Sequence, residues 1–86
     1  MSKKIYVVVE ALQDYKGAYS TVWGARETAD GAKELLKESV IAVSGCESEE
    51  EENEVFNNGV AENGKSWTRD DCDLYQHFEI EEIELN

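Results

Sequence analysis

The sequence predicts a single α+β domain in which an antiparallel sheet of about four to five strands is covered by one main helix. Three features point to this class: a β-branched run near the start, one long segment with helical periodicity, and an alternating apolar run near the end. The expected element order is β-β-α-(α)-β-β-β, where the helix in parentheses is short. Residues 1–86 are expected to form one domain, because a chain of this length builds a single core.

The first two strands follow from residue type. Ile5–Glu10 is rich in β-branched and aromatic residues, which favour strands. Because both alternating positions of this run are apolar, we expect a central strand that is at least partly covered on both faces. A turn at Gly17 leads into a second strand, Tyr19–Ala25, which is expected to pair antiparallel to the first. Gly24 inside it predicts a bulge or a close backbone approach.

The main helix is predicted over Ala29–Val43. Apolar residues recur there at spacings of three and four, which lines one face of a helix. Thr28 suits the N-cap, and Gly45 suits the left-handed residue that follows the last turn. The apolar stripe, which the sheet is expected to cover, consists of Ala32, Leu35, Leu36, Val40 and Val43.

An acidic segment follows the main helix. Ser48 and Glu51 have the spacing of a capping box, which is typical of a helix start. We therefore predict a short acidic helix over Glu49–Asn57. Like charges three or four residues apart repel on a helix, so a solvated loop is the competing interpretation.

The last part of the chain is expected to form a hairpin and a final strand. Asn63-Gly64 between two short flanks is the strongest local hairpin signal in the chain. The final strand starts near Leu74 and changes parity, since its first core positions fall on even numbers and its last ones are Ile83 and Leu85. We therefore expect a bulge or a bend at Glu81-Glu82.

Charge is strongly asymmetric along the chain. The 86 residues include 20 acidic and 8 basic ones, for a formal net charge of −12. Residues 1–37 hold five acids against six bases, whereas residues 38–86 hold fifteen acids against two bases. A half with a net charge of −13 excludes nucleic acid as its direct ligand and favours a cationic protein surface as its partner.

Other bulk properties favour a reducing, intracellular setting. No apolar run approaches the roughly 18 residues of a membrane span, and the chain has no signal-peptide segment. Membrane partners and secretion are therefore disfavoured, and we expect a cytoplasmic protein. Cys46 and Cys72 lie in no paired motif and are expected to be reduced thiols rather than a disulfide.

The carboxylates of the acidic half are the candidate partner-binding residues. They fall in the block 47–54, in a cluster near residue 71 and on the final strand. Presented together, they would imitate the phosphate spacing of a nucleic acid and fit a basic cleft, whereas the alternative for the block is a solvated surface segment. The candidates are Glu47, Glu49, Glu50, Glu51, Glu52, Glu54, Asp70, Asp71, Asp73, Glu79, Glu81 and Glu82.

Catalytic and metal chemistry find little support in the sequence. Asp70–Asp73 with His77 lacks the spacing of a calcium loop, and Cys72 with His77 is too sparse for zinc, so no metal site and no cofactor are expected. His77, the single histidine, has no nucleophile motif near it, and the glycines are too scattered for a phosphate loop. We expect no enzyme activity. Trp23 and Trp67 are expected to be core residues or part of an interaction patch.

The order strand–strand–helix, carried by Ile5–Val8, Thr21–Gly24 and Thr28–Leu36, resembles the start of many small bacterial and phage proteins. The whole chain is short, strongly acidic and free of catalytic motifs. In these respects it is similar in type to phage-encoded inhibitors of host defence, such as anti-CRISPR and anti-restriction proteins, several of which mimic nucleic acid. The similarity lies in size, charge and fold type, so it assigns no role to an individual residue.

The resemblance implies a small inhibitor or adaptor that docks on a basic, nucleic-acid-binding protein, for example a defence nuclease. The alternative is a protein-interaction or regulatory module of a phage or bacterium that binds through an apolar and aromatic surface. A third interpretation is a calcium-responsive acidic module. The salt dependence of partner binding separates the first two, because screening weakens charge-driven binding.

Overall fold

The computed structural model describes residues 3–71 and 74–85 and places them in two layers. Four antiparallel strands form one sheet in the order β2-β1-β4-β3, and two helices pack on one of its faces. The α+β class is therefore confirmed, with the element order β-β-α-α-β-β among the described residues. The elements are β1 (Lys3–Asp14), β2 (Gly17–Arg26), α1 (Ala29–Ser44), α2 (Glu49–Gly59), β3 (Ser66–Asp71) and β4 (Leu74–Leu85).

The central pair of strands runs without interruption. β1 and β4 pair from Lys3 opposite Leu85 to Asp14 opposite Leu74, with no shift of register. The change of face predicted at Glu81-Glu82, by a bulge or a bend, is therefore wrong. Because side chains alternate between the two faces of a strand, the continuous register of β4 leaves Ile83 and Leu85 on the face without helices, where they are 41% and 43% exposed.

The bulge predicted at Gly24 is confirmed in β2. The register between β1 and β2 shifts between Val8 and Val9, so that Trp23 is the extra residue. Gly24 also lies under helix α1: a Cβ atom at this position would come within 3.1 Å of Leu35 Cδ2. Gly24 therefore lies next to a bulge and also allows a close approach of strand and helix, the two alternatives that the sequence predicted.

Helix α1 begins and ends as the sequence predicts. Thr28 Oγ1 accepts a hydrogen bond from the Gly31 amide at 3.0 Å, and Gly45 follows the last turn in the left-handed conformation, with φ of 65°. Of the predicted apolar stripe, Val43 does not join the core and is 41% exposed. The buried contacts of α1 end at Val40, which leaves the last turn facing solvent. The buried residues of α1 are Ala32, Leu35, Leu36, Ser39 and Val40.

Phe78 lies at the centre of the core. It is fully buried, and two tryptophan rings flank it, Trp23 at a centroid distance of 6.2 Å and Trp67 at 5.8 Å in an edge-to-face arrangement. Val8 on β1 and Leu36 on α1 are also fully buried in this cluster. Strands and helix therefore share one hydrophobic core, with the aromatic rings concentrated on the sheet side.

A polar cluster borders this core. Glu10 is 7% exposed, and its two carboxylate oxygens accept hydrogen bonds from Trp23 Nε1 at 2.9 Å and from Gln76 Nε2 at 2.7 Å. These three residues belong to β1, β2 and β4, so the cluster joins three adjacent strands. Since a buried polar group is costly unless it is hydrogen-bonded, both donors and the carboxylate depend on one another.

The second face of the sheet carries no helix in the part of the chain that the structure describes. Val7 and Val9 of β1 lie on this open face and are only partly buried. The expectation that β1 is central is confirmed, whereas coverage on both faces is not observed. On the open face, Val7 and Val9 lie opposite Ala25 and Val22 of β2.

The predicted hairpin at Asn63-Gly64 is a turn without a second strand. The Ala61 amide donates to the Ser66 carbonyl at 2.9 Å, and Val60 pairs with Trp67 in an isolated bridge. Because α2 continues to Gly59, too few residues remain before the turn to form a strand. The described residues therefore form four strands rather than five.

Leu36→Ala should lower the free energy of unfolding by about 2–5 kcal/mol, because it removes a fully buried side chain and leaves a cavity. Chemical denaturation followed by circular dichroism measures the loss. Val43→Ala is the matched control on the same helix and should cost about 1 kcal/mol or less, since Val43 is 41% exposed. Equal losses in the two variants would contradict the register of α1.

Candidate functional site

The acidic segment forms a regular, capped helix. Ser48 Oγ accepts a hydrogen bond from the Glu51 amide at 3.2 Å, and Glu51 Oε2 accepts one from the Glu47 amide at 3.2 Å. The glutamates of the first turn lie at the positive end of the helix dipole, which offsets part of their mutual repulsion. The prediction of a helix is confirmed, with its end two residues beyond the predicted one, and the loop interpretation is wrong.

Several contacts fix α2 to the rest of the protein. Trp67 Nε1 donates to the Val55 carbonyl at 3.1 Å, which ties α2 to the edge strand β3. Lys37 Nζ donates to Asn53 Oδ1 at 2.8 Å and lies 5.8 Å from the centre of the Phe56 ring, which ties α2 to α1. Val55 and Phe56 pack against the core. The glutamates of α2 are therefore displayed from an anchored helix rather than from a loose segment.

Gly59 sets how closely α2 approaches β3. A Cβ atom at this position would lie 2.5 Å from Trp67 Nε1 and 2.7 Å from the Thr68 carbonyl oxygen. These distances are far below van der Waals contact, so a larger residue would push the helix away from the strand. The glycine thus serves packing between two elements.

The charge on α2 is not neutralised within the described part of the chain. The helix carries five glutamates and no lysine or arginine, and Lys37 of α1, which contacts it, donates to an asparagine. The two ion pairs seen among the described residues, Lys3–Glu27 and Lys4–Glu82, lie elsewhere. Four of the glutamates are exposed and Glu52 is half-buried. This acidic helix, Glu49–Gly59, is the most concentrated negative surface that the structure describes.

The thiol of Cys46, just before α2, responds to this negative field. The pKa of Cys46 is raised above its ordinary value, first by desolvation and then by the nearby charges of Glu51 and Glu52. A raised pKa keeps the thiol protonated at neutral pH, where it is a poor nucleophile. Cys46 is a free cysteine, while Cys72 lies outside the described residues.

The other candidate carboxylates do not join α2 in one array. Asp70, Glu79 and Glu81 lie on the open face of the sheet. Glu79 and Glu81 share this face with Ile83 because side chains two apart on a strand point the same way, and Asp70 lies opposite Tyr75 on the same face. Glu82 lies on the opposite face and contacts Lys4 at 3.5 Å. Strand alternation thus divides carboxylates that are neighbours in sequence. Asp71 ends β3, and Asp73 lies outside the described residues.

An open groove borders the acidic helix. It has a volume of about 500 Å³ and lies between the C-terminal parts of α1 and α2 and the edge strand β3. Its lining residues are Ser44, Val55, Asn58, Gly59, Trp67, Thr68, Arg69 and Asp70. A partner side chain that reaches past α2 therefore has space to enter next to the helix.

The single histidine, His77, contacts other residues of the sheet. His77 lies on the open face of β4, where its Nδ1 is 2.7 Å from Thr68 Oγ1 and its ring stacks on Tyr75 at 6.4 Å. Within residues 3–71 and 74–85, no group of three or more acidic, histidine or cysteine side chains is arranged to hold a metal ion. None of the described helices is long and apolar enough to span a membrane.

Comparison with known proteins adds no family to this description. No protein-family model, no curated protein and no solved structure matches the chain.

The sequence did not point to the polar cluster of Glu10, Trp23 and Gln76. Glu10 reads as the polar end of an apolar strand, and nothing in the local pattern shows that its side chain is buried. The available signal was its spacing of two residues from Val8, since side chains two apart on a strand lie on the same face.

Gly59→Ala should destabilise the protein by about 1–3 kcal/mol, because the added methyl group collides with Trp67 and Thr68. In an unconstrained helix the same change would stabilise by about 1 kcal/mol, so the sign of the effect tests the contact. Asn57→Ala, at an exposed position two residues earlier, is the control and should be close to neutral. Thermal melting measures both, and a more stable Gly59→Ala variant would show that α2 does not approach β3 closely.

The reactivity of Cys46 should report the field of α2. In a Cys72→Ser background, the pH dependence of alkylation should give a pKa above that of an ordinary cysteine. Changing Glu51 and Glu52 to Gln should lower that pKa, because it removes two charges that disfavour the thiolate. Glu79→Gln with Glu81→Gln removes the same charge from β4 and should have little effect. Equal shifts in the two double variants would mean that net charge, not the acidic helix, sets the reactivity.

Proposed function

We propose that the protein is a non-enzymatic inhibitor or adaptor that docks its acidic helix on the basic, nucleic-acid-binding surface of another protein. The observation that carries this proposal is the rigid display of five glutamates on a capped and anchored helix without a described ion pair. Charges that served solubility alone would suffer less mutual repulsion if they were spread over the surface. A fixed array instead suits a complementary cationic partner.

The charge spacing of the acidic helix supports mimicry of a nucleic acid. Glu49–Glu54 carries five carboxylates in six residues. At a rise of about 1.5 Å per residue, the five carboxylates span about 7.5 Å of helix axis from the first to the last, a mean spacing of about 1.9 Å. Double-stranded DNA carries one negative charge per ~1.7 Å of its axis. The start of α2 therefore has about the linear charge density of the duplex that a basic cleft is built to bind.

The class of partner follows from this match. Proteins that bind nucleic acids through the phosphate backbone offer lysine and arginine clefts whose affinity for anions is high at low salt. A defence nuclease of a bacterial host is one such protein, and its inhibition by a phage-encoded mimic fits the size and charge of the chain. In this proposal the protein acts in the cytoplasm and uses no cofactor.

The open sheet face supports a second candidate, a phage or bacterial regulatory module that binds through apolar surface. Val22 is 68% exposed there, and Ile83 and Leu85 are about two-fifths exposed. Trp67, by contrast, is 3% exposed and belongs to the core. An apolar interface would therefore use the open face rather than that tryptophan, and its affinity would depend little on salt.

The test begins with capture of the partner from a bacterial lysate on the immobilised protein, followed by mass spectrometry. The captured protein should bind nucleic acid, and the complex should compete with that nucleic acid in fluorescence anisotropy. Affinity should fall steeply with salt. Changing Glu49, Glu50, Glu51 and Glu52 to Gln should weaken binding by roughly 1–4 kcal/mol, since each exposed ion pair is worth about 0.2–1 kcal/mol.

The matched control removes the same number of charges from β4, by changing Glu79, Glu81, Glu82 and Glu84 to Gln. It should weaken binding much less if α2 is the interface. Equal weakening in the two variants would show that overall charge, not the acidic helix, attracts the partner. If both variants bind like the parent and salt leaves the affinity unchanged, the proposed mimicry is wrong and the open sheet face becomes the interface to truncate.

A further inference from the structure

The two edges of the sheet differ in how they are protected. β3 is six residues long, carries three charged residues and is partly covered by the bridge from Val60 to Trp67. β2 is ten residues long, has no proline and no acidic residue, and has one charged residue, Arg26, at its end. Proteins protect exposed edges with short strands, charges, prolines, β-bulges or covering segments. β3 has three of these features, whereas β2 has a bulge at Trp23 and one charged residue, Arg26, at its end.

The exposed part of β2 is regular and suited to strand pairing. Gly17–Val22 pairs with β1 without a register shift, and all six of its residues are exposed. The bulge at Trp23 lies beyond this segment. Two large apolar side chains project from it, Tyr19 at 55% and Val22 at 68% exposure, and both would gain cross-strand neighbours if another strand paired here.

The uneven distribution of charge across the sheet indicates what kind of strand can pair with β2. β1 balances two lysines against two acids, whereas β4 carries four glutamates and α2 five, without lysine or arginine in either. Because the strand order is β2-β1-β4-β3 and α2 packs against β3, the negative charge lies at the side of the molecule away from β2. β2 is therefore the edge at which two copies of this acidic chain can meet with the least repulsion.

We propose that two copies of the chain pair through their β2 strands, antiparallel and about a two-fold axis, to form a continuous eight-stranded sheet. An isologous contact of this kind is closed, so association stops at the dimer. The acidic helices and the charged β3 edges then lie at the two far ends of the assembly. The dimer presents two acidic helices, and this inference does not depend on what they bind.

Sedimentation equilibrium of the full chain tests the proposal. The mass should approach twice 9.7 kDa as concentration rises, and dimerisation should strengthen with added sodium chloride, because screening reduces repulsion between copies that carry −12 each. Changing Ser20 and Val22 to Lys should weaken the dimer at least about tenfold, because like charges then face each other across the two-fold axis. A monomer at every concentration and salt level overturns the proposal.

The control changes Asn57 and Asn58 to Lys, which adds the same two positive charges on α2 and should leave the dimer intact. Both substitutions lower the net negative charge, so loss of the dimer in the β2 variant alone cannot come from general repulsion. Circular dichroism verifies that both variants fold. A dimer that persists in the folded β2 variant would place the contact elsewhere and overturn the proposal.

Hydrogen exchange of the unmodified protein gives a second readout that requires no substitution. Amides within residues 17–22 should become protected as concentration rises through the dimerisation range, while those of residues 66–71 should not change. Concentration-dependent protection of β3 or of the open face, with none in β2, would contradict pairing at this edge. A strand supplied by another protein, rather than a second copy, would leave the purified chain monomeric.

Discussion

Trp67 connects the core of the protein with its edge strand and its acidic helix. Its indole is 3% exposed and packs edge-to-face on Phe78 at the centre of the core. The same ring donates to the Val55 carbonyl of α2 and contacts Gly59, while its backbone pairs with Val60. One side chain therefore joins the edge strand, the acidic helix and the core. A helix with five glutamates and little apolar surface keeps its place because this residue fixes it.

The protein tolerates a net charge of −12 by keeping its carboxylates at the periphery and at one side. Of the nine glutamates on β4 and α2, none is buried, and the strands at the other side of the sheet are close to neutral. Glu10 is the exception, and two hydrogen-bond donors satisfy it. This separation gives the molecule two different sides. One side carries a dense negative surface, and the other carries an exposed strand edge with a single charged residue, Arg26.

Local signals predicted the elements well, because their causes act within a few residues. The N-caps at Thr28 and Ser48 and the left-handed Gly45 fixed three helix boundaries to within a residue or two. Gly24 marked the bulge for a reason that is also local, the extra residue beside it. Even the acidic helix was recognisable from its capping residues, although charge repulsion argued against it. The fold class and the location of the acidic surface thus follow from the sequence.

Features that depend on residues far apart in the chain could not be predicted from local patterns. β4 keeps one register against β1 along its full length, so Ile83 and Leu85 are about two-fifths exposed although their pattern predicted burial. Val43 is exposed because the core contacts of its helix end one turn earlier. The candidate carboxylates do not lie together, because the alternation of side chains along a strand places sequence neighbours on opposite faces of the sheet. Among the described residues, α2 carries the densest group of carboxylates. Composition and periodicity determined that this protein is an acidic α+β protein. Strand register and layer packing determined which charges lie close together, because register and packing are set by residues far apart in the chain.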